Sequence, residues 1–352
     1  MTTTPIISAR GLSKRFRGPA GAAVVAVSDL TMDVEAGPLT AFLGPNGAGK
    51  STSLRMLTTL LEPTGGTARV CGFDVAQQPA EVRARIGYIG QKNGAGQYQR
   101  VRDELLSQGA LYGLGRVERR RRVDELLEVL ELGELADRPT MKLSGGQRRR
   151  VDIALGLIAA PRLLFLDEPS TGLDPQSRAH LWAHLITLRE RYEMTLFLTT
   201  HYLDEADQFA ERVLVVDRGR LIADDSPAGL KARLAGDRIT LTVTSDSGSA
   251  SATDDVAHLV RRAARESGAP DAEPTLAETA VGTRLAISVH HGDRVLPRLV
   301  LDLHASGHHV VAAELARPTL DDVFLTLTGR SLREDHPGEP AADPIPATAG
   351  AL

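Results

Sequence analysis

Gly44-Pro45-Asn46-Gly47-Ala48-Gly49-Lys50-Ser51-Thr52 is the stretch on which the fold of this chain turns. It satisfies G-x-x-x-x-G-K-[ST], the pattern of a loop that wraps its backbone around phosphate. Glycines let successive N–H groups converge on phosphate oxygens. Lys50 can reach the β/γ-phosphates, the Ser51 hydroxyl can ligate Mg²⁺, and a following helix adds its positive end. The flanking sequence supplies that context: the apolar run 38–43 reads as a buried strand, and 50–61 has the spacing of a helix. Strand, glycine loop and helix open a βαβ-type unit, so the expected fold class is α/β.

Downstream, Leu163-Leu164-Phe165-Leu166-Asp167-Glu168 is an apolar strand ending in two carboxylates. Two acids at a strand end are by themselves usually a solvated turn. Beside a phosphate loop, the first is placed to hold a Mg²⁺ shell and the second to accept a proton from an attacking water, which makes Asp167 the metal candidate and Glu168 the candidate general base.

Leu143-Ser144-Gly145-Gly146-Gln147 opens an arginine-rich helical stretch. Here the chain resembles the ATP-binding subunits of ABC transporters, whose signature is LSGGQ, and the other motifs of that family follow in order. Phe16 matches the aromatic position that stacks on adenine. Gln91 matches the Q-loop glutamine that touches Mg²⁺ and the attacking water, Ser170 to Asp174 the D-loop, and Thr200-His201 the switch histidine. The resemblance covers residues 6–230 and implies a P-loop NTPase (RecA-like) core with an antiparallel β subdomain and a helical insert at about 92–160. It implies catalytic roles for Glu168, His201, Gln91 and Lys50, metal roles for Ser51, Gln91 and Asp167, and ATP with Mg²⁺ as cofactors. Gly44 to Thr52 and Asp174 of the D-loop would bind nucleotide, while the signature residues Ser144, Gly145, Gly146 and Gln147 close on the ATP of a second subunit in a head-to-tail homodimer.

A second unit is expected at 237–329, small and α+β, with strands near 239–244, 284–290 and 309–315, helices near 254–266 and 293–305, and a polar loop at 248–254. Its end, Arg317-Pro-Thr-Leu-Asp-Asp-Val-Phe-Leu-Thr-Leu-Thr-Gly329, resembles the daunorubicin/doxorubicin-resistance branch of the family, the drug exporters. The same segment reads as an amphipathic helix closing the small unit, with Leu320, Val323, Phe324 and Leu327 as its core face. Residues 330–352, rich in Pro, Ala and Gly, read as a disordered tail.

Composition narrows the partners. The 352 residues carry 41 basic against 45 acidic side chains, a net charge of −4, which offers no global attraction to nucleic acid. The apolar run 153–166 is broken by Pro161 and Arg162, so no segment is long enough to cross a bilayer, and the start has no signal-peptide pattern. A peripheral place on the cytoplasmic face of the membrane, docked on a separate integral-membrane permease, is the expectation. The single cysteine, Cys71, excludes an internal disulfide and reads as a small buried hydrophobe. The pairs His290-His291 and His308-His309 point to opposite faces if they lie on strands, which argues against metal. Arg119 to Arg122 and Arg148 to Arg150 read as outer faces of helices. Two other functions fit the ATPase motifs: an importer subunit with a regulatory C-terminal domain, and a non-transport ABC ATPase.

Overall fold

The computed structural model describes residues 4–17, 23–234, 236–245, 250–269, 272–279 and 281–329. Its centre is a six-stranded sheet in the order β10-β9-β3-β8-β7-β6. The strands are β3 (Thr40–Leu43), β6 (Ile86–Ile89), β7 (Leu163–Asp167), β8 (Thr195–Thr200), β9 (Arg212–Asp217) and β10 (Arg220–Asp225). All pairings are parallel except β9 with β10. Parallel strands need both faces covered, and here every residue of β3, β7 and β8 is buried.

Alternate residues of each strand serve different cores, as the two-residue period requires. Leu43, Leu164, Leu166, Leu196 and Leu198 face a cluster with the helices of one side. Phe42, Leu163, Phe165, Phe197 and Leu214 face the other side, where the three phenylalanine rings stand 5.6 Å apart in sequence Phe42–Phe197–Phe165. That second side is covered by helix α1 (Lys50–Leu57) and by an antiparallel sheet in the order β2-β1-β4-β5, made of β1 (Ile7–Arg17), β2 (Ala23–Val34), β4 (Gly65–Val70) and β5 (Phe73–Asp74), with helix α2 (Pro79–Arg83) following. Helix α1 ends at Leu57, short of residue 61, because the backbone turns left-handed at Thr59.

The first side carries α3 (Val101–Leu111), α4 (Arg116–Val129), α5 (Gly145–Leu157), α6 (Pro175–Tyr192) and α7 (Leu203–Phe209). The helical insert expected at about 92–160 is interrupted at 112–115, between α3 and α4, and Leu111 at the end of α3 is 83% exposed. Both arginine runs also differ from expectation. Arg122 is buried, donating to the Leu157 carbonyl at 2.9 Å with its guanidinium over the Tyr192 ring, and Arg149 is buried under α5.

Helix α8 (Pro227–Leu234) leads to a third sheet, β12-β13-β11-β14, built from β11 (Asp237–Ser245), β12 (Thr275–Thr279), β13 (Gly282–Val289) and β14 (His308–Ala316), all antiparallel. With α9 (Ala250–Glu266) and α10 (Gly292–Ala305) this is a β-α-β-β-α-β unit, the ferredoxin-like arrangement. Ile239, Leu241 and Val243 of β11 meet Val260, Ala264, Leu299 and Leu303 of the helices. Helix α9 begins inside the stretch read as a loop, whose residues 248 and 249 lie outside the described residues. The expected tail, 330–352, also lies outside them.

The last helix, α11 (Leu320–Thr328), corrects an expectation. Its Leu320, Val323 and Phe324 join the helix-side cluster of the central sheet, with Leu203 and Ala206 of α7 and Leu230 of α8, and not the core of the ferredoxin-like unit. The amphipathic face is as read from sequence, but it turns back to the first unit.

Candidate nucleotide and metal site

The loop between β3 and α1 takes its shape from Gly47 and Gly49, at φ +80° and +98°, a region that side chains avoid. A Cβ on Gly49 would lie 2.5 Å from the Ala26 carbonyl oxygen, so no larger residue fits there. Gly49 is also the N-cap of α1, with no side-chain cap and no acid in the first turn. The first amides of the helix are thereby left for an anion. Pro45, Asn46, Gly47, Gly49, Lys50, Ser51 and Thr52, with Ala26, Gln91 and Glu168, line a cavity of about 320 Å³. Gly44 and Ala48 shape its wall: the Gly44 carbonyl accepts from Lys50 Nζ at 2.7 Å, and Ala48 N–H donates to the Pro45 carbonyl at 3.2 Å.

Beneath the loop, strand β7 delivers the two acids and β8 the threonine that holds them. Asp167 Oδ1 accepts from Ser51 Oγ at 2.9 Å and from Thr199 Oγ1 at 2.8 Å. The Glu168 backbone is left-handed, φ +47°, a conformation held by its N–H donating to Thr199 Oγ1 at 3.0 Å. That turn sends the carboxylate into the cavity, where Oε2 accepts from Gln91 Nε2 at 2.8 Å. Oε1 lies 3.4 Å from both Lys50 Nζ and His201 Nδ1.

Burial pushes the Glu168 carboxyl up, but the His201 hydrogen bond, the Lys50 charge and Gln91 together outweigh it and hold the group at about 2. Burial pulls the Lys50 ammonium down, partly offset by Glu168 and Asp167. The site thus holds one buried cation against two buried acids, with the open amides of the helix end as the place for a polyanion.

Sequence-predicted residues divide into two groups. The loop residues, Gln91, Asp167, Glu168 and His201 are brought together. Phe16, 40% exposed on β1, and Ser144, Gly145, Gly146, Gln147 and Asp174 do not line the cavity. Ser144 caps α5 in a reciprocal capping box with Gln147, and Asp174 caps α6 through Ser177 N–H at 2.9 Å. The two helix starts adjoin, since a Cβ on Gly146 would meet Ser177 Oγ at 2.8 Å, and both are solvent-facing. They form a second surface, separate from the cradle.

Three site residues were missed from sequence. Thr199 bridges Asp167 and the Glu168 amide. The half-buried Tyr88, its hydroxyl driven upward chiefly by burial and by the Asp167 charge, stands near Arg55 and Asp167. Arg149 reaches the carbonyls beside Gln91 and Glu168. None had a motif to mark it. A larger cavity, about 480 Å³ between α9 and α10, shares no residue with the phosphate loop.

A twisted parallel sheet with a glycine cradle at the end of β3 and paired acids at the end of β7 defines the class of P-loop nucleotidases. Within that class, residues 27–171 match the ABC transporter family model. The chain is 42% identical over 318 residues to the daunorubicin resistance ATP-binding protein DrrA2 of Streptomyces coeruleorubidus, covering 90% of this chain and 94% of that protein. It is 39% identical over 349 residues to the daunorubicin/doxorubicin resistance ATP-binding protein DrrA of Streptomyces peucetius, covering 97% and 98%. Among solved structures, cbiO1 of Clostridium perfringens, part of the ABC transporter complex cbiONQ, superposes with a TM-score of 0.58 at 29% identity, over 65% of this chain and 92% of that one. The chain belongs to the ABC transporter family and is one of its nucleotide-binding, ATP-hydrolysing subunits. Among the described residues no helix is long and apolar enough to cross a membrane.

Proposed function

We propose that this chain powers efflux of a drug-like or natural-product small molecule through a separate membrane permease, from the cytoplasmic face of the membrane. The observation that carries the ATPase reading is the convergence of Lys50, Ser51, Gln91, Asp167, Glu168 and His201 on one cavity at the end of the parallel sheet. The cargo follows from the relatives named above, which are drug-resistance proteins.

Triphosphate would lie along the loop amides, with Lys50 turning from the Gly44 carbonyl to the β/γ-phosphates and adenine stacked on Phe16. Ser51, Asp167 and Gln91 present hard oxygen donors, and Ser51 Oγ and Asp167 Oδ1 are already adjacent, which suits Mg²⁺, an ion that takes one or two protein oxygens and completes its shell with phosphate and water. When bound, the ion would neutralise charge building on the γ-phosphate.

Glu168 orients and deprotonates water, with Gln91 and His201 fixing its carboxylate. At about 2 its carboxyl is a weak base. Phosphate competing for Lys50 would remove part of what holds it there and raise it toward a useful value. The signature residues Ser144 to Gln147 and Asp174 lie away from this cavity and face solvent, so they are read as the cap for the nucleotide of a second copy. Two subunits then enclose two nucleotides head to tail.

Glu168→Gln tests this reading. It should bind ATP as the wild type does, lose about 10²-fold or more in hydrolysis, and accumulate as an ATP-bound dimer in size-exclusion chromatography. Wild-type turnover by that variant would end the assignment. Affinity capture from membranes, followed by an export assay with the co-purifying permease, tests the transport half.

A further inference from the structure

Helix α5 begins at the signature and runs under the loop that carries Gln91. Arg149 sits on it five residues past the cap, 5% exposed, and Asp152 three residues further, 4% exposed, on the same helix face. A buried guanidinium is tolerated only where its donors find acceptors. Arg149 Nε donates to the Pro169 carbonyl at 2.7 Å, one residue past Glu168, and Nη1 donates to the Gly90 carbonyl at 2.7 Å, one residue before Gln91. Asp152 Oδ1 accepts from the Gly94 and Ala95 amides at 2.9 and 3.1 Å, just beyond Gln91. The two side chains face each other at 3.9 Å. They therefore grip both flanks of Gln91 and the backbone behind Glu168, the two residues joined by the 2.8 Å contact in the cavity.

We propose that Arg149, seconded by Asp152, is a positioning residue that ties the signature helix to the Gln91–Glu168 contact, so that movement of α5 sets the alignment of the pair that handles the attacking water. The proposal rests on the reading of Gln91 and Glu168 given above. The planar fork is what the task requires, because one rigid group spans two carbonyls on different segments; a lysine ammonium is a point charge on a flexible stem. An α-helix is stiff along its axis, so a push on Ser144 to Gln147 from a second subunit would reach Gly90 and Pro169 through two hydrogen bonds.

Arg149→Lys in the full chain keeps the charge opposite Asp152 and loses the fork; Arg149→Gln is the harsher companion. Expected for Arg149→Lys are an ATP affinity within about twofold of wild type and a kcat lower by about tenfold. Amide hydrogen exchange across residues 90–97 should rise by about tenfold. In a Gln91→Ala background, adding Arg149→Lys should lower kcat by less than about twofold further, because the route through Gln91 is already cut. Full multiplication of the two losses would overturn the coupling, and unchanged exchange across 90–97 would overturn the tie itself. Exchange reads the positioning without any hydrolysis. A Glu168→Gln variant that went on turning over would therefore remove the site reading and leave this measurement to decide.

Discussion

Thr199 shows how much one unremarked side chain carries. Its hydroxyl donates to Asp167 and accepts from the amide of Glu168, so it sets the metal-side acid and the left-handed turn of the water-side acid at once. Thr199→Val keeps the shape and removes both bonds. Stability should fall by about 1–3 kcal/mol in urea unfolding, and hydrolysis should fall more than ATP binding. Glu168 makes a second prediction, in pH. Its folded-state value lies below the ordinary 4.5, at about 2, so it contributes stability above about pH 4.5 that is lost as the pH falls toward 2. The urea midpoints of wild type and Glu168→Gln should therefore draw together as the pH is lowered from about 5 to about 3. A gap that stays constant would mean that the carboxylate is not held by His201, Lys50 and Gln91. Cys71 sits at the quiet end of the same scale: burial raises its thiol, which favours the unreactive form.

Among the elements, legibility followed how much of the cause lies along the chain. β3, β7 and β8 could be read because a strand buried on both faces must be apolar at every position, and the glycine loop because its φ values demand glycine. α5 announces its start with Ser144, which the structure uses as its cap, and α6 starts behind a second cap, Asp174. β12 escaped because all five of its residues are exposed, leaving no alternation to detect. Arg122 and Arg149 were misread as outer faces because an arginine is buried by acceptors from elsewhere, here the Leu157, Gly90 and Pro169 carbonyls, which no local pattern reveals. The site divided the same way: the phosphate loop, the paired acids and the motifs that carry the family resemblance were found, and Thr199, Tyr88 and Arg149, which act through distant partners, were not.

At the scale of the whole molecule, α11 joins what the sheets separate. Its apolar face was legible, but its partner was not, since Leu320, Val323 and Phe324 suit either core. Phe324→Ala should destabilise the protein by about 3–5 kcal/mol through the cavity it leaves. Trp182, the single tryptophan, lies in the same cluster, so its fluorescence should report the shift directly. A Trp182 transition that did not move would assign the helix to the ferredoxin-like unit instead. The position of α11 also bears on how the protein is made. Leu230 and Phe324 pack in one core yet leave the ribosome 94 positions apart, an interval of about 5–20 s at ordinary rates of synthesis. During that interval the nascent ATPase unit exposes the groove between α7 and α8, so its closure waits until α11 has been made, and chaperones that shield apolar surface have their longest opportunity there.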